Sequence, residues 1–411
     1  MVFTSRLIAV VVVALVFLSD GLAKNYRVNV APADANRAAQ VISFRLPADV
    51  PRSATLRGAD GTTLPLQSGT DGEATFIVPF QQAREALTFS LVELAPTVAA
   101  GKGVEANADR QRVRVTVGGA PAFDYPIDRE VLPRSDIKPE FKRAGYIHPV
   151  FSPSGRIVTD DYPSNHVHHH GIWSPWVKTK FQGRTPDFWN MGTKTGAEDF
   201  VALDRTWSGA VHGGFEARLN MVDLSAPTPT TVLNETWRVT AYAVPAAVGA
   251  APVRVFDLMI SQVCATKDAL ELPDYHYGGF GFRGADAWNG PGEAALFLTS
   301  DGLTDRIKGN NTRGRWCYLG GRIDGAIAGT AILGHPENFR APQPMRLHPN
   351  MPYMSFVPQA LGDFAIEPGR TYVARFRFVV ADGAPDRAAI DAFWNGYAMP
   401  AIVKIVAEGP P

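Results

Sequence analysis

Bulky apolar and polar side chains alternate with a period of two through most extended stretches of this chain, and such a pattern can bury one face of a strand but not one stripe of a helix. Val41-Ile42-Ser43-Phe44-Arg45-Leu46, Ala74 to Val78, Leu87 to Val92 and Val113 to Val117 are short segments of this kind, rich in β-branched and aromatic residues. Gly118-Gly119 and the following Ala122 to Tyr125 predict a hairpin. Longer alternating runs cover Glu235 to Tyr242, Val253 to Ile260 and Tyr372 to Val380, as expected of antiparallel strands with one face buried. The predicted fold is all-β: a small N-terminal β-sandwich over residues 24–125, then a large antiparallel β-sandwich over 126–411. Pro133, Pro139, Pro149, Pro153 and Pro163 mark the change of style, and the boundary is placed near residues 120 to 135. One helix is predicted, near the C-terminus. Pro385 and Asp386 suit its first turn, and Ile390, Phe393, Trp394 and Tyr397 fall on one face that packs on a sheet.

The first 23 residues read as an export signal. Arg6 gives a positive start, Leu7 to Leu18 is an apolar run, and Gly21-Leu22-Ala23 ends in the small residue that signal peptidase needs. The run is shorter than the roughly 20 residues that cross a bilayer. The expectation is a protein of the periplasm or the cell exterior, with no membrane span after processing. Lys plus Arg equals Asp plus Glu at 40 each, so no basic field draws the chain to nucleic acid. Cys264 and Cys317 are the two cysteines, and an oxidising compartment would permit a bridge between them if their geometry allows it. Nucleotide, dinucleotide, serine-hydrolase and zincin signatures are absent.

All nine histidines lie from residue 148 onward, and four fall in Asn165-His166-Val167-His168-His169-His170-Gly171. If this segment is extended, His166, His168 and His170 share one face and His169 takes the other. Converging imidazoles can serve as acid and base near neutral pH, or His168 and His170 can chelate a transition metal. His166 and His168 are therefore candidate catalytic residues. His276, in the Gly-rich segment Tyr275 to Arg283, is a third, and Glu235 or Asp274 is a candidate acidic partner. Trp173 and Trp176, with Phe188 and Trp189 beyond them, are predicted to stack on a sugar ring. His148 can face the same cleft. Arg313, Arg340 and Tyr353 are candidate polar contacts to substrate, since a guanidinium forks onto a carboxylate or vicinal hydroxyls.

Tyr146-Ile147-His148-Pro149, Ser152 to Gly155, Asp161-Tyr162-Pro163, His166 to Gly171, Arg313 to Trp316, Asn338-Phe339-Arg340 and Met351-Pro352-Tyr353 occur in this order. Together they resemble a bacterial family labelled methane oxygenase PmoA, over residues 120 to 400. The resemblance implies an essentially unassigned function in bacteria rich in polysaccharide-degrading genes. In style the region is also similar to the mutarotase-like supersandwich of aldose epimerases and polysaccharide lyases, where a histidine and an acidic residue exchange protons with a sugar. The leading expectation is a secreted carbohydrate-active enzyme of lyase, hydrolase or epimerase type, with lyase chemistry favoured. The alternatives are an oxygenase or hydrolase that depends on a divalent transition metal, and a non-catalytic sugar-binding protein. The cofactor and the oligomeric state are left open.

Overall fold

The computed structural model of the protein describes residues 25–93, 103–247, 250–290 and 294–408; the expected export signal lies outside them. The fold is all-β. Its largest element is an antiparallel sheet of eight strands, in spatial order Gly196–Trp207, His212–Asp223, Thr230–Tyr242, Val253–Cys264, Tyr372–Asp382, Ala326–Gly334, Trp316–Ile323 and Leu296–Thr299. The alternation sorts side chains to two buried faces. Phe256, Leu258, Phe376, Phe378, Cys317 and Leu319 point one way, and Val255, Val379, Trp316 and Tyr318 the other.

On the first face the sheet packs against two smaller sheets to make the large sandwich. One holds Val104–Ala108, Arg112–Val117 and Ala120–Pro126. The other, which carries the candidate site, holds in spatial order Ile172–Trp173, Gly281–Arg283, Tyr353–Phe356 and Met345–Leu347. Phe256 stacks on Phe378 with centroids 4.6 Å apart and rings 10° from parallel. Burying each such ring stabilises the core by about 1.5–3 kcal/mol. The strands between 104 and 126 share this core, through Val113, Phe123 and Tyr125, with Phe215 and Trp237.

The second face is covered by the helix Arg387–Ala398, as the sequence predicts. Asp386 caps it by accepting from the amides of Ala388 and Ala389, and Ile390 docks among Val255, Val379 and Leu333. Beyond the helix lies a small sandwich built round Val28, Leu56, Phe76 and Leu91. The C-terminal strand Val403–Ala407 returns to pair with Tyr26–Val30, Tyr26 opposite Ala407. Alternation over five residues near a chain end gives no hint of this partner, and the pairing was not expected. The two parts are tied by Gln67, whose Oε1 accepts from the amides of Val211 and His212, both at 2.9 Å, and by Arg377, which donates to the Ala39 carbonyl at 3.0 Å. Cys264 and Cys317 are free thiols.

Candidate functional site

The four-stranded sheet explains where polar chemistry accumulates. Ile172, Phe282, Met354, Phe356, Met345 and Leu347 face the core, so strand alternation sends Trp173, Gly281, Arg283, Tyr353 and Arg346 to the opposite face. There Trp173 and Trp189 meet at 4.7 Å above Gly281. A Cβ on Gly281 would lie 2.7 Å from the Trp189 ring and 3.2 Å from that of Trp173, so only glycine lets the two indoles settle on the strand.

The histidine-rich segment lies over this face, and it is not a strand. Two successive turns are closed by the His166 amide on the Pro163 carbonyl and the His169 amide on the His166 carbonyl. Pro163 and the polar run after it favour turns. The alternation expected for His166, His168 and His170 is therefore replaced. His166, His168 and His169 group together, with ring centroids 4.7–5.7 Å apart, and His348 approaches His166 at 6.2 Å.

His170 is separate from them. Its ring is fully buried, stacked on Tyr146 at 4.2 Å, and its Nδ1 bonds the Asp161 carboxylate at 2.7 Å. Tyr146 donates to the other Asp161 oxygen at 2.9 Å. The carboxylate fixes the tautomer, with the proton on Nδ1, and leaves Nε2 buried without a protein partner. Of the two candidate metal ligands, His170 thus has its Nδ1 engaged by Asp161, while His168 packs against His166 and His169. Among the described residues no group of three His, Cys, Asp or Glu side chains converges as a metal ion requires, so the donor set does not fit one.

Arg283 sits at the centre, fully buried. It donates to Asn289 Oδ1 at 2.8 Å, to Asn165 Oδ1 at 3.1 Å and to the Met351 sulfur at 2.6 Å, while Asp160 stays 3.9 Å away. Thioether sulfur is a weak acceptor, so the guanidinium is poorly neutralised. Burial lowers its pKa to about 10. Burial also raises Asp160 and Asp161 to about 6. The imidazoles move the other way: burial first, then neighbouring imidazoles and Arg283, bring His168 down to about 3, and burial with the nearby arginines and His166 brings His348 to about 4. His166 is lowered by burial and Arg283 as well. At neutral pH this patch holds neutral imidazoles, one guanidinium and two carboxyls close to titration.

Other expected residues fall elsewhere. Trp173 and Trp176 are fully buried, Trp176 donating to Gln262 at 2.9 Å, and Tyr353 is buried too; these rings are core rather than a sugar platform. Arg313 donates to the carbonyls of Pro342, Arg340 and Ala341, and Arg340 to those of Pro358, Gly362 and Asp363. Their donors brace loops and are not presented to a ligand. His148 bonds Thr159 at 3.0 Å beneath the patch. His276 is exposed on a loop, not a strand, between Tyr275 and Tyr277; the charge of Arg346 acts on both His276 and His348. Tyr277 reaches Trp189 at 5.6 Å, which sets this loop at the edge of the patch. Glu235 is buried in the sandwich beside Glu198, accepting from Trp237 and Gln262, and Asp274 is exposed with its carbonyl on Lys178. Among the described residues, neither makes a hydrogen bond or ion pair with the histidines.

Asp160, Arg283, His348 and Arg346 were missed. Asp160 stands directly before the quoted Asp161-Tyr162-Pro163, and Arg283 ends the quoted Gly-rich segment; strand parity across sequence-distant segments brings them together, and no local pattern encodes that.

Fold and site define an all-β protein of two sandwiches with a buried arginine and a group of neutral histidines on the outer face of a short sheet. The chain belongs to the Family of unknown function (DUF6807), whose model matches residues 112–395. No curated protein matches it. Among solved structures, an α-mannosidase from Enterococcus faecalis V583 is similar at 9% identity and a TM-score of 0.48, covering 94% of this chain and 46% of that one. A glycosyl hydrolase family 38 protein from Enterococcus faecalis is similar at 8% identity and a TM-score of 0.41, over 94% and 47%. The chain thus spans about half the length of these structures. No helix among the described residues is long and apolar enough to cross a membrane.

Proposed function

We propose that the protein is an exported carbohydrate-active enzyme whose acid and base groups are those of the histidine patch, acting as a lyase on a sugar that carries a carboxylate. One observation carries this reading. Buried polar atoms without hydrogen-bond partners collect round a single guanidinium: His166 Nδ1, His169 Nδ1, and Asp160 Oδ2 and Arg283 Nε, which face each other only across 3.9 Å. Such atoms are costly unless a site needs them, and their grouping beside a poorly neutralised cation favours an anionic ligand.

The chemistry follows from the charges. A neutral imidazole of His166 or His168 takes the proton on the carbon next to the sugar carboxylate. The C–H electron pair moves into a carbon–carbon double bond as the bond to the glycosidic oxygen breaks, and Asp160, near titration at neutral pH, can return a proton to the leaving oxygen. Arg283 and Arg346 supply positive field for the charge that develops on the carboxylate. Burial is the main cause that depresses His168 and Arg283 the smallest; an arriving carboxylate opposes the Arg283 part and so raises the basicity of its own base to that extent.

The test is a panel of uronate-containing and neutral oligosaccharides, read by the ultraviolet absorbance of the unsaturated product. Turnover of a uronate substrate that falls on the order of a hundredfold or more in His168→Ala or His166→Ala is expected, since positioned proton transfer contributes about 10²–10⁴-fold. Binding without turnover in every case would leave a sugar-binding protein and end the enzyme reading.

A further inference from the structure

A second site lies far from the histidine patch along the fold, in the cleft between the small sandwich and the outer face of the eight-stranded sheet. The cleft encloses about 570 Å³, a size that accommodates a short oligosaccharide. One wall is the small sandwich at Ser43, Asp71, Glu73 and Thr75, and the other is the sheet at Trp207, Arg238, Asp257 and Arg375. The walls are pinned at both ends by the Gln67 contact with the amides of Val211 and His212 and the Arg377 contact with Ala39, so the space is preformed.

Trp207 lines this cleft together with Tyr242 and Tyr397. The Trp207 ring lies against Gly214, where an added Cβ would sit 3.0 Å from the indole and 1.9 Å from the Val239 carbonyl, so the sheet is cut back to receive it. The guanidinium groups of Arg205 and Arg238 lie 5.2 and 5.6 Å from the ring centroid. The indole N–H donates to His212 Nδ1 at 3.1 Å, which leaves the His212 proton on Nε2 as a donor. On the same sheet wall, His335 Nδ1 accepts from the Glu337 amide at 3.2 Å, fixing the same tautomer.

The charges decide the ligand class. Arg205 forks onto Glu216 at 2.7 and 2.9 Å, with Arg238 3.6 Å from the same carboxylate; Arg375 lies 3.7 Å from Glu337, and Arg377 forks onto Asp257 at 2.7 and 2.9 Å. These four guanidinium groups share three carboxylates, and Asp71 and Glu73 on the opposite wall add two more, so an anion would find no surplus of positive charge. Hydroxyl groups, which donate and accept, meet imidazole and guanidinium donors on the sheet and carboxylate and hydroxyl acceptors on Asp71, Glu73, Ser43 and Thr75. We propose that this cleft binds a neutral oligosaccharide, one pyranose ring lying on Trp207 and its hydroxyls bridging the sheet and the small sandwich.

This inference stands on residues and on a ligand charge different from those of the histidine patch. The experiment is calorimetric titration of the full protein with cello-, xylo-, manno- and malto-oligosaccharides and with oligogalacturonate. It uses the wild type, Trp207→Ala, Trp207→Phe, Ser43→Phe and His168→Ala, each checked for an unchanged thermal midpoint. Expected is binding of at least one neutral series, weakened about tenfold or more by Trp207→Ala and blocked by Ser43→Phe, which fills the cleft from the opposite wall. Trp207→Phe should retain most of the affinity, and His168→Ala all of it. Failure of every neutral series to bind, or binding that survives both Trp207→Ala and Ser43→Phe, would overturn the proposal. Binding lost in His168→Ala alone would place the sugar at the histidine patch instead. Absence of uronate turnover with intact cleft binding would remove only the lyase reading.

Discussion

Replacing His168 with glutamine should make the protein less sensitive to acid, by an amount the structure sets. In the folded state burial, His166, His170 and Arg283 hold His168 at about 3, against an ordinary value of 6.5. A histidine whose folded pKa is depressed contributes stability that is complete above pH 6.5 and is lost as pH falls toward the folded value, because the unfolded chain binds the proton more tightly. Between pH 6.5 and pH 5 the loss is 1.5 units at about 1.36 kcal/mol per unit, about 2 kcal/mol. His348, held at about 4, loses the same about 2 kcal/mol over that interval. Asp160 and Asp161 act in the opposite sense. Raised to about 6, they contribute stability that is full below the ordinary carboxyl range and is lost as pH climbs through 6, which returns at most about 1.4 kcal/mol each on going from pH 7 to pH 5. These contributions are common to the wild type and His168→Gln and cancel in the comparison. Urea unfolding of both proteins at pH 7.5 and pH 5 therefore reads His168 alone, provided the slopes agree. The difference in stability between variant and wild type should shift by about 2 kcal/mol in favour of the variant at pH 5. Equal differences at the two pH values, or a shift of opposite sign, would show that His168 is not held neutral and would remove the electrostatic basis of the patch.

Three further outcomes are expected. Gly281→Ala should lower stability by about 1–3 kcal/mol, measured by urea unfolding, because the new methyl meets two buried indoles at 2.7 and 3.2 Å that have no room to move. Asp161→Ala should cost about 1–3 kcal/mol for each donor it orphans, those of Tyr146 and His170, and the near-ultraviolet dichroism of the tyrosines should change with it. Arg340→Ala should destabilise the loop over Pro358 to Asp363 by about 2 kcal/mol yet leave sugar binding untouched, since its donors are spent on three carbonyls.

The architecture was largely legible because alternation is a local signal that survives without its partners. Val253 to Ile260 and Tyr372 to Val380 read as strands from composition alone, and they are neighbours in the eight-stranded sheet with Phe256 opposite Phe378. The helix was legible through Asp386 and its apolar face. The return of Val403–Ala407 to the first strand was not, because pairing between chain ends leaves no trace in either segment. In the site, the chemistry of the histidine-rich segment drew notice but its conformation did not follow: Pro163 and two turns regroup the rings and send His170 to Asp161. The aromatic residues misled for a plain reason. Trp173 and Trp176 are as suitable for a core as for a sugar platform, and only burial decides between them.

Six ionisable groups of the patch are displaced toward their neutral forms: the carboxyls of Asp160 and Asp161 upward, the imidazoles of His166, His168 and His348 downward, and Arg283 downward to about 10. Packing alone would favour apolar residues here, since a buried charge with partial partners destabilises a fold more than a hydrophobic replacement of the same volume. Retention of so many such groups on one sheet face, beside a core built mainly of apolar side chains, marks a position where local stability has been given up. A carboxylate entering beside Arg283 would oppose the part of each imidazole displacement that Arg283 causes, burial causing the larger part, and would offer the orphaned Arg283 Nε an acceptor. The features that make the patch costly in the free protein are thus those that would bind an acidic sugar and set its base, which is why the uronate panel and the pH dependence of His168→Gln test one physical claim from two sides.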